Sequence, residues 1–199
     1  ASKGTPVLPG TYKIVIQGAG LKDSSSVKVI ADPRFDLAPE VDQQLYAYQR
    51  SVDQQVGKLG SLFKDIGQKQ AALTKLEKQL LGLKTPSSEQ AVLAIKGIQS
   101  KIEALQSKGR TPRPQRQVGA WQTTEVTPFS KVRDIQSIAR SRTRVISEQE
   151  QDLLIEATQL VAEFEGVVQT FIANDWKAFV RQMKATNIDW LSGLEMTKN

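Results

Sequence analysis

The fold is decided by the stretch from Pro39 to Leu83, which reads PEVDQQLYAYQRSVDQQVGKLGSLFKDIGQKQAALTKLEKQLLGL. Apolar residues recur in it at steps of three and four, the spacing of one face of an α-helix. The row consists of Leu45, Tyr48, Val52, Val56, Leu59, Phe63 and Ile66, and after a polar step at Gln70 it resumes with Leu73, Leu76, Leu80 and Leu83. At a rise of about 1.5 Å per residue this helix would be roughly 65 Å long, so several later segments must cover its apolar row.

Two shorter helices are predicted after this stretch. The first follows the capping-box pattern of Ser87 and Gln90, and it should end at Gly109 in a left-handed conformation. A short connection to the long helix implies an antiparallel neighbour, packed on the distal half of the apolar row. The next short helix should begin at Pro128, because proline suits the first helical position.

A second long helix is predicted from the capping-box pattern of Ser147 and Glu150. Two alternatives remain for its end: re-capping at Asn174-Asp175 before a last short helix, or one helix that runs on with a bend. For three glycines inside the first long helix, we expect close packing of a neighbouring helix rather than a hinge. These are Gly57, Gly60 and Gly67.

The chain before residue 35 has the pattern of a β-hairpin. Thr11 to Gln17 is rich in β-branched and aromatic residues, Gly18 to Gly20 breaks the run, and Ser26 to Ile30 is a second strand after a loop of about eight residues. We therefore predict a mainly α protein, an antiparallel bundle of three to five helices built on one very long helix. Residues 1–34 should form the hairpin, and residues 35–199 the bundle with a basic loop at 110–127.

Composition excludes several chemistries. The chain has no cysteine and no histidine, which removes disulfides, thiolate and imidazole ligands and the usual cysteine or serine nucleophile arrangements. We predict no catalytic residue, no cofactor and no metal site. The sequence contains no run of 18 apolar residues, so it predicts no membrane span. A nucleic-acid partner is disfavoured, because 27 basic and 21 acidic residues spread along helices are typical of solvated faces.

One segment lacks any periodicity and is rich in arginine and proline. The possible interaction strip within it consists of Arg110, Arg113, Arg116 and Trp121. One interpretation is a contact for a phosphate-rich or acidic partner, with the indole available for stacking. The favoured interpretation is an extended crossover along the bundle, pinned by the tryptophan. In either case the segment offers little apolar surface, and we expect it to be dispensable for folding.

The order of these pieces resembles the C-terminal region of bacterial secreted proteins with sortilin-like (VPS10-like) β-propellers, also described as BNR or Asp-box, glycosyl-hydrolase-like proteins. The resemblance rests on Pro9-Gly10-Thr11-Tyr12-Lys13-Ile14, on Val29-Ile30-Ala31-Asp32-Pro33-Arg34 followed by the long helix, and on the helices from Pro128 to Phe179. It implies that the hairpin ends an immunoglobulin-like module, that the parent protein is exported, and that any glycosidase-like site lies on a propeller. The chain opens on Ala-Ser-Lys-Gly without Met, and we expect a piece of a longer protein.

Three functional hypotheses follow. The first is a noncatalytic accessory or protein-interaction module at the C-terminal end of a larger exported protein, bound to the rest of that protein or, through the hairpin, to a second copy. The second is a carboxylate-dependent, glycosidase-like hydrolase, which would need two carboxylates about 5 to 9.5 Å apart. The third is a coiled-coil-type scaffold, which would leave part of the long apolar row exposed. Candidate acids for the second are Glu148, Glu150, Asp152, Glu156, Glu163 and Glu165.

Overall fold

A computed structural model of the chain describes residues 7–33, 38–83, 85–110, 126–141 and 145–186. These residues form one antiparallel β-hairpin followed by a bundle of helices. The prediction of a mainly α protein with one very long helix and an N-terminal hairpin is therefore confirmed. The predicted boundary between residues 34 and 35 lies outside the described residues.

The hairpin joins β1, Gly10–Gly18, to β2, Leu21–Val29, through a turn of only two residues. Ala19 and Gly20 both have positive φ, 49° and 80°. Two such residues form the turn whose twist matches that of paired strands. The predicted loop of about eight residues is therefore wrong, because the polar run Asp23 to Ser26 continues the ladder instead of leaving it.

The first helix, α1, spans Pro39–Leu81 and has 43 residues. It begins with proline in the first turn, followed by Glu40 and Asp42 near the positive end of the helix dipole. Most of the predicted row is buried, but Leu62 joins it, Val56 and Phe63 are only partly buried, and Leu83 is exposed beyond the helix end. The buried residues are Leu45, Tyr48, Val52, Gln55, Leu59, Leu62, Ile66, Lys69, Leu73, Leu76 and Leu80.

Two helices lie end to end along α1 and run antiparallel to it. These are α2, Pro86–Gly109, and α3, Pro128–Ser141. On the distal half, Gln106 Nε2 donates to Gln70 Oε1 at 2.8 Å, and Gln99 Nε2 donates to Glu77 Oε2 at 3.1 Å. On the proximal half, Gln49 Nε2 of α1 donates to the carbonyl oxygen of residue 139 at 3.2 Å. Together α2 and α3 cover most of the length of α1.

The last helical segment runs parallel to α1. It comprises α4, Glu148–Phe171, a π-helical turn, Ile172–Trp176, and α5, Lys177–Ala185. Trp176 keeps helical angles, φ −65° and ψ −44°, so the three parts form one continuous helix. Of the two alternatives, re-capping at Asn174-Asp175 is therefore wrong. The extra residue of a π turn is a common cause of a local irregularity in a long helix.

Two helices share the same capping sequence, Thr-Pro-x-Ser. At α2, Thr85 N donates to Ser88 Oγ at 3.0 Å and Ser88 N donates to Thr85 Oγ1 at 3.2 Å. At α3, Thr127 and Ser130 make the same pair of bonds at 3.0 and 3.2 Å. The predicted cap at Ser87 with Gln90 is thus wrong, because the helix begins at Pro86.

The predicted capping box of α4 is confirmed by a hydrogen bond to its acidic residue, Glu150. The backbone N–H of Ser147 donates to Glu150 Oε2 at 2.9 Å. Glu150 is buried, and its backbone carbonyl also accepts a hydrogen bond from the Tyr48 hydroxyl at 3.1 Å. The start of α4 is therefore fixed to the proximal part of α1 as well as capped.

The glycine predictions are wrong in both places. Gly109 does not cap α2 in a left-handed conformation: it is the last helical residue, and a Cβ there would lie 2.5 Å from the Phe164 ring. By contrast, a Cβ added to any of the three glycines of α1 would meet no atom within 4 Å. Close packing therefore explains Gly109 and does not explain Gly57, Gly60 and Gly67.

The core divides into two hydrophobic clusters along α1. The smaller one surrounds Val52 and Ile135, and the larger one extends from Leu59 to Met183. Gln55 lies between these levels and is buried, and its Oε1 has no hydrogen-bond partner among the described residues. A buried amide oxygen without a hydrogen bond costs free energy, because it has lost its bonds to water. Gln55 therefore interrupts the apolar row of α1 between the two clusters.

Candidate interaction surfaces

Arg110 is the one residue of the predicted interaction strip within the described residues. Arg113, Arg116 and Trp121 lie outside them. The Arg110 backbone is extended, and its guanidinium carbon lies 4.6 Å from the centroid of the Phe129 ring. This is a cation–π contact. Arg110 therefore packs on the bundle, and a contact between the other three residues and a partner stays a prediction.

Beneath Arg110 lies a cluster of three phenylalanines from three helices. The Phe63 and Phe129 ring centroids are 6.5 Å apart with nearly perpendicular planes, and those of Phe63 and Phe164 are 5.6 Å apart. Gly109 lies against the Phe164 ring. The end of α2 and the start of α3 therefore meet at one level of the core, on a shared aromatic cluster.

This meeting point lies at the two ends of the basic segment. Arg110 follows the end of α2, and its side chain contacts Phe129 in the first turn of α3. Residues 111–125 themselves lie outside the described residues. The extended crossover and the contact with an acidic partner therefore both stay predictions.

Two of the candidate carboxylates make contacts within the bundle. Glu150 is used in the α4 cap, and Glu156 Oε2 accepts from Lys131 Nζ at 2.7 Å. Glu163 and Asp175 line one groove, but twelve residues of the same helix separate them, a rise of about 18 Å. A glycosidase pair needs a far shorter separation. In the described ranges, no group of three acidic or other ligating side chains could hold a metal ion.

That groove is shallow, has a volume of about 620 Å³ and lies between α2 and α4. Its apolar walls include Leu105, Val167 and Phe171, with small residues at Ala104 and Gly166. At one end Lys101 forms an ion pair with Asp175, and at the other Lys108 and Glu163 line the rim. Opposite charges thus occur at each end, which gives the groove no net preference for a charged ligand.

One face of the hairpin carries five exposed large apolar side chains. Strand alternation places Tyr12, Ile14 and Ile16 of β1 on that face, and the pairing adds Val27 and Leu21 of β2. All five are exposed, Ile16 by 72% and Leu21 by 77%. We call this surface the hairpin face. The opposite face carries Lys13, Lys22 and Lys28 with Val15, so the ribbon is amphipathic.

The apolar row of α1, in contrast, is covered by the other helices. Leu73 and Leu80 are fully buried, and along α1 only Leu81, the final helical residue, is a large exposed apolar side chain. The broad exposed row that would favour a coiled-coil-type scaffold is therefore not found on this helix. The hydrophobic surface available for a partner lies elsewhere.

Sequence reasoning missed some of these features for identifiable reasons. The Thr-Pro-x-Ser repeat at 85–88 and 127–130 was a readable signal, because serine can replace glutamate in a capping box. Lys69 was not readable. It is buried with Asp65 as its ion-pair partner and lies 5.5 Å from the Trp176 ring centroid, a contact made across more than a hundred residues.

Comparisons of the chain with protein-family models, with curated proteins and with solved structures found no match. Among the described residues, no helix combines the length and the apolar character needed to cross a membrane. The interpretation of function consequently rests on the surfaces described above.

Proposed function

We propose that this chain is a noncatalytic protein-interaction module, and that the hairpin face is the surface through which it binds. The observation that carries the proposal is the exposure of that face: five large apolar side chains share it with Ser25 and Asp23, and the other face is polar apart from Val15. Isolated exposed apolar residues are ordinary, but contiguous apolar patches rimmed by polar residues mark interaction sites.

The backbone of the hairpin supports the same proposal. Two strands alone are marginally stable in water, and each nine-residue strand has one edge that is not paired in the two-stranded sheet. Such edges accept further strands, which is a recurring mode of protein recognition. A partner with β-structure would therefore satisfy both the open edges and the hairpin face.

The partner that we propose for the chain in solution is a second copy. A two-fold arrangement brings the same face of each hairpin together, so Ile14 and Ile16 of one copy meet apolar residues of the other. Stacked apolar faces exclude water, while Lys13, Lys22 and Lys28 remain on the outer, solvated faces. In a larger exported protein, as the resemblance implies, an immunoglobulin-like module would occupy this face as an accessory contact.

Sedimentation velocity tests the proposal on the full chain. Ile14→Thr combined with Ile16→Thr keeps β-branched residues in the strand but removes apolar surface from the hairpin face. Val15→Thr makes the same exchange on the opposite face and is the matched control. We expect the wild-type chain and Val15→Thr to form dimers and the double variant to be monomeric.

Hydrogen exchange of the hairpin amides completes the test. Protection of β1 and β2 should rise with protein concentration in the wild type and should be lost in the double variant. A wild-type chain that stays monomeric, with hairpin amides that exchange freely at every concentration, would overturn the proposal. No observation on the described residues favours the hydrolase or scaffold hypotheses over this one.

A further inference from the structure

The turn between α1 and α2 exposes leucine side chains at one end of the bundle. Leu81 ends α1, Leu83 lies in the turn, and Leu93 lies in the second turn of α2. Their exposed fractions are 59%, 49% and 70%. From residue 38 onward, the described residues expose seven large apolar side chains, and these three are the leucines among them.

The helix registers place these leucines at one level. The contacts of Gln99 with Glu77 and of Gln106 with Gln70 fix the antiparallel register of α1 and α2, which brings Leu93 level with Leu83. The parallel contact of Trp176 with Lys69 places the end of α5 beside the last turns of α1. We call residues 75–83, 85–96 and 181–186 the distal tip.

The charges of the distal tip are predominantly positive. Its basic residues are all exposed and come from three helices, whereas its acidic residues are Glu77 and Glu89. The carboxylate of Glu77 accepts a hydrogen bond from Gln99 on α2. The basic residues are Lys75, Lys78, Lys96, Arg181 and Lys184.

Helix dipoles explain only part of this pattern. Lys78 and Lys184 lie in the last turns of α1 and α5, where cations stabilise the negative end of a helix. Lys96 lies in the N-terminal half of α2, where the dipole gives a cation no such advantage. Nor does the dipole account for leucines that remain exposed between the cations.

We propose that the distal tip is a peripheral binding surface for anionic lipid membranes. Apolar side chains surrounded by lysine and arginine are the pattern by which protein segments enter the boundary between headgroups and acyl chains. The leucines would enter that boundary while the cations remain at the lipid phosphates. A nucleic acid would use the cations but not the leucines, and no aromatic residue occurs in the distal tip for stacking on bases.

The absence of cysteine makes insertion directly measurable. A single Leu83→Cys variant of the full chain is labelled with an environment-sensitive fluorophore and mixed with vesicles of phosphatidylglycerol and phosphatidylcholine. We expect a blue shift of its emission with these vesicles and none with phosphatidylcholine alone. Ile155→Cys, at an exposed position of α4 distant from the tip, is the matched control and should not shift.

Cosedimentation with the same vesicles tests the two components of the surface separately. Replacing Lys78, Lys96 and Arg181 by Gln should weaken binding about fivefold for each charge, on the order of a hundredfold together. Replacing the three leucines by Gln should abolish the blue shift of a label at a neighbouring tip position. Control replacements are Lys58→Gln, Arg133→Gln and Ile155→Gln, which are exposed and lie outside the tip.

Circular dichroism must first show that each variant keeps the helical content of the wild type. The proposal is overturned if the wild type fails to bind anionic vesicles, or if the tip variants bind as tightly as their controls. Tight binding to a short DNA duplex that is unaffected by the leucine replacements, without insertion into vesicles, would also overturn it. That result would assign the charges of the tip to a nucleic acid.

Discussion

The same kind of side chain is buried in the bundle and exposed in the hairpin. Ile66 of α1 is 1% exposed, whereas Ile16 of β1 is 72% exposed. The difference lies in the number of covering layers, because α1 has neighbours along its length whereas the hairpin pairs only strand to strand. The bundle covers the apolar row of α1, whereas the hairpin requires a surface that the described helices do not supply.

The largest expected effect is a core truncation in the bundle compared with the same truncation in the hairpin. Phe164→Ala should lower the free energy of unfolding by about 3 to 5 kcal/mol and Leu59→Ala by about 2 to 5 kcal/mol, because both side chains are buried. Ile16→Ala should change bundle stability by less than about 0.5 kcal/mol. Urea unfolding followed by far-UV circular dichroism measures all three, and equal losses would contradict the comparison.

Gly109→Ala should give the next largest effect. The new methyl group would overlap the Phe164 ring, and overpacking of this kind costs about 1 to 3 kcal/mol. Gly97→Ala, in the same helix but facing open space, is the matched control and should be neutral or stabilising. Combining Gly109→Ala with Phe164→Leu should cost less than the sum of the two single losses, because the smaller side chain makes room. Strict additivity would show that the close contact does not exist.

A smaller effect of opposite sign is expected on the exposed side of α1. Gly57→Ala and Gly60→Ala should each raise the free energy of unfolding by up to about 1 kcal/mol, since alanine favours helix and its methyl group meets no neighbour. Thermal unfolding of the single and double variants measures the gain. A loss of stability instead would indicate that these positions must bend, as the hinge alternative supposes.

The residues explain why some of the fold was predictable and some was not. The row on α1 was predictable because a period of 3.6 residues persists over about eleven turns. The errors are Leu83, which lies beyond the helix end, and positions where the neighbouring side chain is the buried one, as Leu62 is in place of Phe63. The hairpin turn was missed because Asp23 and the three serines after it resemble a loop, yet polar residues are acceptable in a strand that lacks a buried face. The local sequence pattern cannot show whether another element packs on a face of the hairpin.

The roles of the glycines were inverted because space around a backbone is a tertiary property. The sequence does not show which glycine has a close neighbour: Gly109 faces Phe164, more than fifty residues away, and Gly60 faces open space. The interaction surfaces had the same limitation. The basic strip was visible as composition, whereas the hairpin face and the distal tip depend on which apolar residues the other helices leave uncovered.

The smallest expected effect concerns the segment between α2 and α3. Replacing residues 111–125 by a Gly-Ser linker of about half that length should raise the free energy of unfolding by about 0.6 kcal/mol. Halving a loop lowers the entropic cost of closing it by roughly that amount. Arg110 contacts Phe129, so the two ends of the replaced segment lie at one level of the bundle, within reach of the shorter linker. Arg110→Gln in the shortened chain should then cost about 0.5 to 1 kcal/mol through loss of the cation–π contact. If the shortened chain is instead destabilised by several kcal/mol, residues 111–125 contribute contacts to the bundle, and the division between a self-sufficient bundle and a hairpin that needs a partner must be drawn differently.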